Sequence, residues 1–156
     1  MQFELREITA ADEKAAICDA ILHGLPHWFG IEESIQGYIR DCREMPFWAV
    51  YDASAAVGFL ALKPHNPHTA ELAVMGIRPE YHRSGLGRIL VTQAKAYCRE
   101  KGFRFLTVKT LDESREDEGY AKTRCFYLAM GFYPLEVFPT LWDDANPCLL
   151  MATYLK

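Results

Sequence analysis

No stretch of the 156 residues approaches the roughly 18 consecutive apolar positions that a membrane-crossing helix needs. No membrane partner is expected. A basic excess is missing as well: 17 Lys and Arg face 21 Asp and Glu, for a net charge of −4. Nucleic-acid binders ordinarily carry a basic stripe, so that partner class is set aside. The five cysteines (Cys18, Cys42, Cys98, Cys125 and Cys148) are odd in number, widely spaced and without a Cys-x-x-Cys pair. This argues against a disulfide framework and for reduced, mostly buried thiols of a cytoplasmic protein. His23 with His27, and His65 with His68, have no Cys or carboxylate cluster to complete a ligand set, so no metal is expected. Low-complexity tracts, repeats and linkers are absent. Residues 1–7 lack the basic-then-apolar order of a signal peptide.

What is present reads as a globular chain, with 50% hydrophobic and 24% charged residues. One domain over residues 1–156 is expected, long enough to bury about 70% of its unfolded surface without staples. Residues 3–8 alternate as a first strand. Thr9 is placed as the N-cap of a helix over 11–22, with Ala16, Ile17, Ala20 and Ile21 at helical spacing and Gly24 as its stop. A second helix covers 32–43. Short runs at 47–51, 56–62 and 69–77, parted by turns at 52–55 and 64–68, read as a strand meander.

A helix over 85–100 carries Leu86, Ile89, Leu90, Ala94 and Cys98 on one stripe and ends before Gly102. There follow a strand at 105–109, a charged loop at 112–119 and a helix at 120–130 closed by Gly131. Strands at 132–138 and 148–155 then flank a loop holding Trp142 and Pro147. The order β-α-α-β-β-β-α-β-α-β-β predicts an α/β (α+β) fold. Its mixed, mostly antiparallel sheet is parallel at the crossover between the strands that hold Ile77 and Phe105.

Chemistry concentrates where the strand carrying Glu71, Met75, Gly76 and Ile77 runs into His82-Arg83-Ser84-Gly85-Leu86-Gly87-Arg88 and then a helix. Amides at a helix start lack internal partners and sit at the positive end of the macrodipole. Gly85 and Gly87 allow close backbone approach, and Arg83 and Arg88 add positive charge. The arrangement suits a pyrophosphate. It is neither a Walker loop, which needs Gly-Lys-Ser/Thr, nor a GxGxxG fingerprint, because Leu90 stands at the third glycine's place.

His82-Arg-Ser-Gly85-Leu-Gly87 resembles the Q/R-x-x-G-x-G/A signature of the GNAT superfamily of acyl-CoA-dependent N-acetyltransferases, with His82 where Gln or Arg is usual. Tyr127-Leu-Ala-Met-Gly131-Phe132 is similar to that family's later Tyr-x-x-x-Gly-Phe. The resemblance extends to element order along the whole chain. It implies a central sheet with helices on both faces, splayed where acetyl-CoA binds. It also implies transfer of acetyl directly to a primary amine of a small molecule or peptide through a ternary complex.

By the same resemblance, Met75, Gly76 and Ile77 pair with pantetheine, and Arg83, Ser84, Gly85, Leu86, Gly87 and Arg88 hold pyrophosphate. Tyr120 replaces the Asn that family members often carry, so no Asn contact is expected. Tyr127 is the candidate general acid, since a phenol with a value near 10 stays protonated at neutral pH and can serve the departing thiolate. Arg124 shares its helix face and is assigned to a phosphate or substrate carboxylate. Glu71 is the candidate general base for the incoming ammonium; the competing reading is a strand carboxylate that faces solvent or pairs with a Lys. The family resemblance also suggests a homodimer through the closing strands and Trp142.

Cys125, mid-helix and without an evident His partner, is a weaker nucleophile. His27, Trp28 and Phe29 either line the acceptor wall or cover the core. The acidic run 112–118 is a solvated loop or an attractor for a cationic acceptor. Antibiotic, polyamine, amino acid, peptide N-terminus and lysine side chain all stay open as acceptors. The rival classes are a CoA-binding sensor without turnover and a partner-binding domain without cofactor.

Overall fold

A computed structural model describes residues 2–156. Along the chain run β1 (Phe3–Glu7), α1 (Ala11–His23), α2 (Glu32–Asp41), β2 (Phe47–Asp52), β3 (Ala55–Asn66) and β4 (Thr69–Ile77). They are followed by α3 (Leu86–Glu100), β5 (Phe105–Leu111), α4 (Glu118–Ala129), β6 (Tyr133–Asp143) and β7 (Asn146–Tyr154). Short 3₁₀ turns occupy Cys42–Glu44 and Pro79–Tyr81. The strands are ordered β1-β2-β3-β4-β5-β7-β6 in one sheet. β4 and β5 pair in parallel, with Glu71 opposite Thr107, while β1–β2, β2–β3, β5–β7 and β6–β7 are antiparallel. The expected element order and the mixed, mostly antiparallel sheet are both found.

Contacts divide the chain into two units. The first runs to Lys63 and takes up Ala73–Ala96; the second comprises Pro64–Leu72 and Tyr97–Lys156. In the first, α1 buries Ile17, Cys18, Ile21 and Leu22 against Phe47, Phe59 and Val74, and the Phe47 and Phe59 rings stack 5.2 Å apart. α3 buries Leu86, Leu90, Val91 and Ala94, whereas Ile89, placed on the apolar stripe by its spacing, is exposed. A Cβ on Gly76 would meet Ile21 and Leu25 of this α1 packing, and one on Gly58 would meet Ile77 and Leu90. Neighbouring strand residues such as Gly76 and Ile77 point to opposite faces. So α1 and α3 cover opposite faces of the first unit's strands. In the second unit, Leu106, Val108, Phe132, Cys148 and Met151 are buried, and Cys98 is pushed up to about 11 by burial.

Several element ends differ from expectation, three of them because a side chain caps or tightens a turn. The N-cap of α1 is Ala10 rather than Thr9, and no side chain caps it. β3 runs through Pro64 and His65 because Asn66 Oδ1 accepts from the amides of His68 (2.8 Å) and Thr69 (3.0 Å), tightening the turn to residues 67–68. Asp143 Oδ1 likewise accepts from Ala145 N and Asn146 Nδ2, both at 2.9 Å. Trp142 and Pro147 therefore sit on strands, not in a loop. α4 starts two residues early because Asp117 accepts the Tyr120 amide at 3.0 Å and caps it.

Candidate functional site

In the first unit, the chain leaving β4 is pinned at three points. Arg78 N donates to Val57 O (2.9 Å), Arg78 Nε donates to Ala56 O (3.2 Å), and Tyr81 donates to Asp52 Oδ2 (2.5 Å). The loop then turns through two left-handed residues, Arg83 (φ 67°) and Gly85 (φ 85°), while the Ser84 hydroxyl donates back to the Tyr81 carbonyl. Ile89 N closes the first helical hydrogen bond on Gly85 O (3.2 Å). The amides of Leu86, Gly87 and Arg88 thus fall in the stretch before that bond, where helix donors have no intrahelical acceptor.

Around Gly85 there is open space: a Cβ placed there would meet nothing within 4 Å, so the glycine answers to backbone conformation, not crowding. Gly76 is the reverse. Its missing Cβ would stand 3.0 to 3.2 Å from Ile21, Phe59 and Leu25, so close packing against α1 already requires a glycine on β4. Arg88 lines an open groove of about 350 Å³ with Leu5, Ile89, Thr92, Gln93 and Ala96.

His82, the residue that departs from the signature, is held at both ends. Its Nε2 lies 2.8 Å from the carbonyl of Ile77, the last residue of β4. Its ring meets Trp28 edge-on, with centroids 5.5 Å apart. Trp28 in turn meets His27 (4.9 Å), and Phe29 meets Tyr38 (5.9 Å). The His27-Trp28-Phe29 segment is therefore tied into aromatic contacts of the first unit, one of them with the glycine loop.

In the second unit, Glu71 is nearly enclosed on β4 and has two nitrogen-bearing neighbours. His65 Nε2 lies 2.6 Å from its Oε1, and Lys109 Nζ lies 3.4 Å from both oxygens. The Lys pairing that the sequence offers as an alternative is present, joined by His65, which lies on β3 and not in the turn its neighbouring prolines suggest. Tyr127 is buried on α4 between Phe126 (5.5 Å) and Phe132 (5.6 Å). Arg124 donates to Leu111 O at 2.7 Å, fastening α4 to the end of β5. Asp112, just beyond, accepts the Ser114 amide, and hydrogen bonding from Ser114 holds its carboxyl below the usual range. Arg83, Ser84, Gly85, Leu86, Gly87 and Arg88 thus share the first unit with Met75, Gly76 and Ile77, while Glu71, Arg124 and Tyr127 share the second.

Residues 14–132 match the Acetyltransferase (GNAT) family. The chain belongs to that family. A relative from Chlorobaculum tepidum, named an uncharacterized N-acetyltransferase, is 26% identical over 121 residues, 76% of this chain and 70% of that one. A solved GNAT-family protein from Desulfovibrio desulfuricans superposes with a TM-score of 0.83 at 18% identity, over 99% of this chain and 100% of the other. A GNAT acetyltransferase from Elizabethkingia anophelis, solved with acetyl-CoA bound, has a TM-score of 0.74 at 15% identity over 98% of each chain.

Acetyl-CoA use comes with the GNAT family, and the loop's chemistry fits it. The fit lies in amides ahead of the first helical bond, open space around Gly85 and the guanidinium groups of Arg83 and Arg88. Among the described residues, no group of three or more His, Cys, Asp or Glu side chains is placed to hold a metal ion. No described helix is long and apolar enough to cross a membrane.

Proposed function

We propose that residues 1–156 form one cytoplasmic N-acetyltransferase domain that moves acetyl from acetyl-CoA directly to a primary amine of a small molecule or peptide in a ternary complex. The observation that carries this is the left-handed turn at Gly85, opening into α3 with three donors ahead of its first hydrogen bond. Arg83, Ser84, Gly85, Leu86, Gly87 and Arg88 hold the pyrophosphate, and Met75, Gly76 and Ile77 receive pantetheine along β4. Arg124 keeps Nη1 on Leu111 O and offers its remaining N–H donors to a phosphate or substrate carboxylate.

Acetyl-CoA supplies an activated thioester; the chain supplies position and proton handling. Glu71 takes a proton from the acceptor ammonium. As the C–N bond forms and the C–S bond breaks, the Tyr127 hydroxyl gives its proton to the thiolate, and the second proton that the nitrogen loses on becoming an amide restores the hydroxyl. The second copy of a homodimer is placed along β6, an edge strand with exposed Leu135 and Trp142.

Calorimetry of acetyl-CoA binding to wild type and Gly85→Glu tests the cofactor reading. The expected result is micromolar binding lost in the variant, which places a carboxylate and a strained side chain at the phosphate site. Absence of binding to folded wild type at millimolar acetyl-CoA overturns it. An amine panel (spermidine, a peptide with a free N-terminal alanine, and a lysine peptide with a blocked N-terminus), followed by free-thiol release, then tests for turnover. The second reading, a CoA-binding sensor, draws on the pairing of Glu71 with Lys109 and His65. It predicts equal affinity for CoA and acetyl-CoA and no thiol release.

A further inference from the structure

Three titratable side chains of the second unit meet at one carboxylate. Glu71 keeps only 12% of its side chain in solvent, whereas His65 keeps 37% and Lys109 33%. His65 Nε2 lies 2.6 Å from Oε1, and Lys109 is 3.4 Å from each oxygen. From β7, the buried Cys148 also senses this cluster. Its thiol is pushed up by burial first of all; the Lys109 charge lowers it and the Glu71 charge raises it.

A carboxylate that takes a proton from an ammonium must return one to water before the next turnover. Glu71 is too enclosed to exchange freely. Lys109 carries three donors and no acceptor, so as an ammonium it can hold the carboxylate's charge but cannot take its proton. An imidazole has a lone pair to offer near neutral pH. Here it stands at hydrogen-bond distance from the buried oxygen, with more than a third of its surface in water.

We propose that His65 is the relay through which Glu71 passes its proton to solvent, a role that rests on Glu71 being the base. The acceptor's N–H bond breaks and its proton goes to the Glu71 carboxylate. The carboxyl group then gives its proton to Nε2 of a His65 ring that carries its other hydrogen on Nδ1. The resulting imidazolium releases its Nδ1 proton to water, and exchange with water then moves the remaining hydrogen from Nε2 back to Nδ1 before the next turnover. Of the two protons the nitrogen loses, the one taken by Glu71 reaches solvent and the other ends on the thiol, and the carboxylate is restored beside Lys109. His65 acts through Glu71, so it is a positioning and relay residue without contact to the reacting atoms.

The test compares wild type, His65→Gln and Glu71→Gln, using acetyl-CoA and the panel amine that gives turnover. Thiol release is followed from about pH 5.5 to 9, with and without added imidazole. A Gln at position 65 can still donate to Glu71 but accepts no proton. The expected result is a loss in kcat of about tenfold or more in His65→Gln, an unchanged KM for acetyl-CoA, and recovery of kcat on adding imidazole. Imidazole leaves the wild type unchanged. Wild-type turnover by His65→Gln overturns the relay, and so does a loss that imidazole fails to recover, which marks a structural role. Wild-type turnover by Glu71→Gln removes the base reading itself. Loss of turnover in Glu71→Gln beside an unimpaired His65→Gln removes the relay alone.

Discussion

Single residues show where a signature and its surroundings part company. Gly85 was readable from sequence because a left-handed turn before a helix has few alternatives to glycine. His82 was not, because its ring contact with Trp28 comes from a segment far away in sequence, although its other partner, Ile77 O, is only five residues before it. His65 escaped for a related reason. Its proximity to Glu71 depends on a turn tightened by Asn66, which moves it from the loop onto β3.

Tyr127 packs between two phenyl rings, so Tyr127→Phe should keep the fold and remove only the hydroxyl. Steady-state kinetics are expected to give a kcat about 100-fold lower, with acetyl-CoA affinity unchanged in calorimetry. A near-wild-type kcat would assign the proton to another donor. Thr110 makes the opposite case: its hydroxyl is buried and meets no hydrogen-bond partner among the described residues. Replacing a buried unsatisfied hydroxyl with a methyl group should help, so Thr110→Val is expected to raise unfolding stability by about 1 kcal/mol in urea titrations. A loss of stability would show that the hydroxyl is satisfied.

At the scale of elements, α1 and α2 are clipped together by an exposed histidine. His23 Nε2 lies 2.9 Å from Glu32 Oε1, and Nδ1 lies 2.7 Å from Asp19 Oδ1. The Glu32 bond, then those of Asp19, raise the His23 value above the ordinary one. A raised folded-state value means the clip contributes fully below the unfolded value of about 6.5 and fades as pH rises through the folded one. Amide-exchange protection at the α1–α2 junction should therefore fall across that rise, with the pH-dependent step absent in His23→Gln. A wild-type profile flat through the same window would sink the clip.

Element order was legible because burial periodicity is a local property; α3 and β4 announce themselves through spacing alone. Element ends were less so. Asn66, Asp117 and Asp143 each set a boundary with a side-chain hydrogen bond that hydrophobic pattern does not encode. Arg124 was assigned by helix face to a ligand, yet the same face presents it to Leu111 O.

For the whole molecule, the outermost strand is the exposed feature that most needs a partner. β6 carries Tyr133, Leu135 (62% exposed), Leu141 and Trp142 (45% exposed) at the edge of the sheet. An exposed apolar edge is a pairing hazard unless something covers it. Sedimentation is expected to give a dimer for wild type and a monomer for Leu135→Lys with Trp142→Lys, both folded by circular dichroism. A monomeric wild type would overturn the dimer.

The parallel pairing of β4 with β5 also bears on how the chain is made. Residues 69–72 leave the ribosome before the strand at 105–108 that flanks them, and the whole of α3 is synthesised between the two. The second unit therefore cannot close during early synthesis, because its first strand waits in a nascent chain while the first unit is still being completed. A gene truncated after residue 96 would strand that segment without its parallel neighbour.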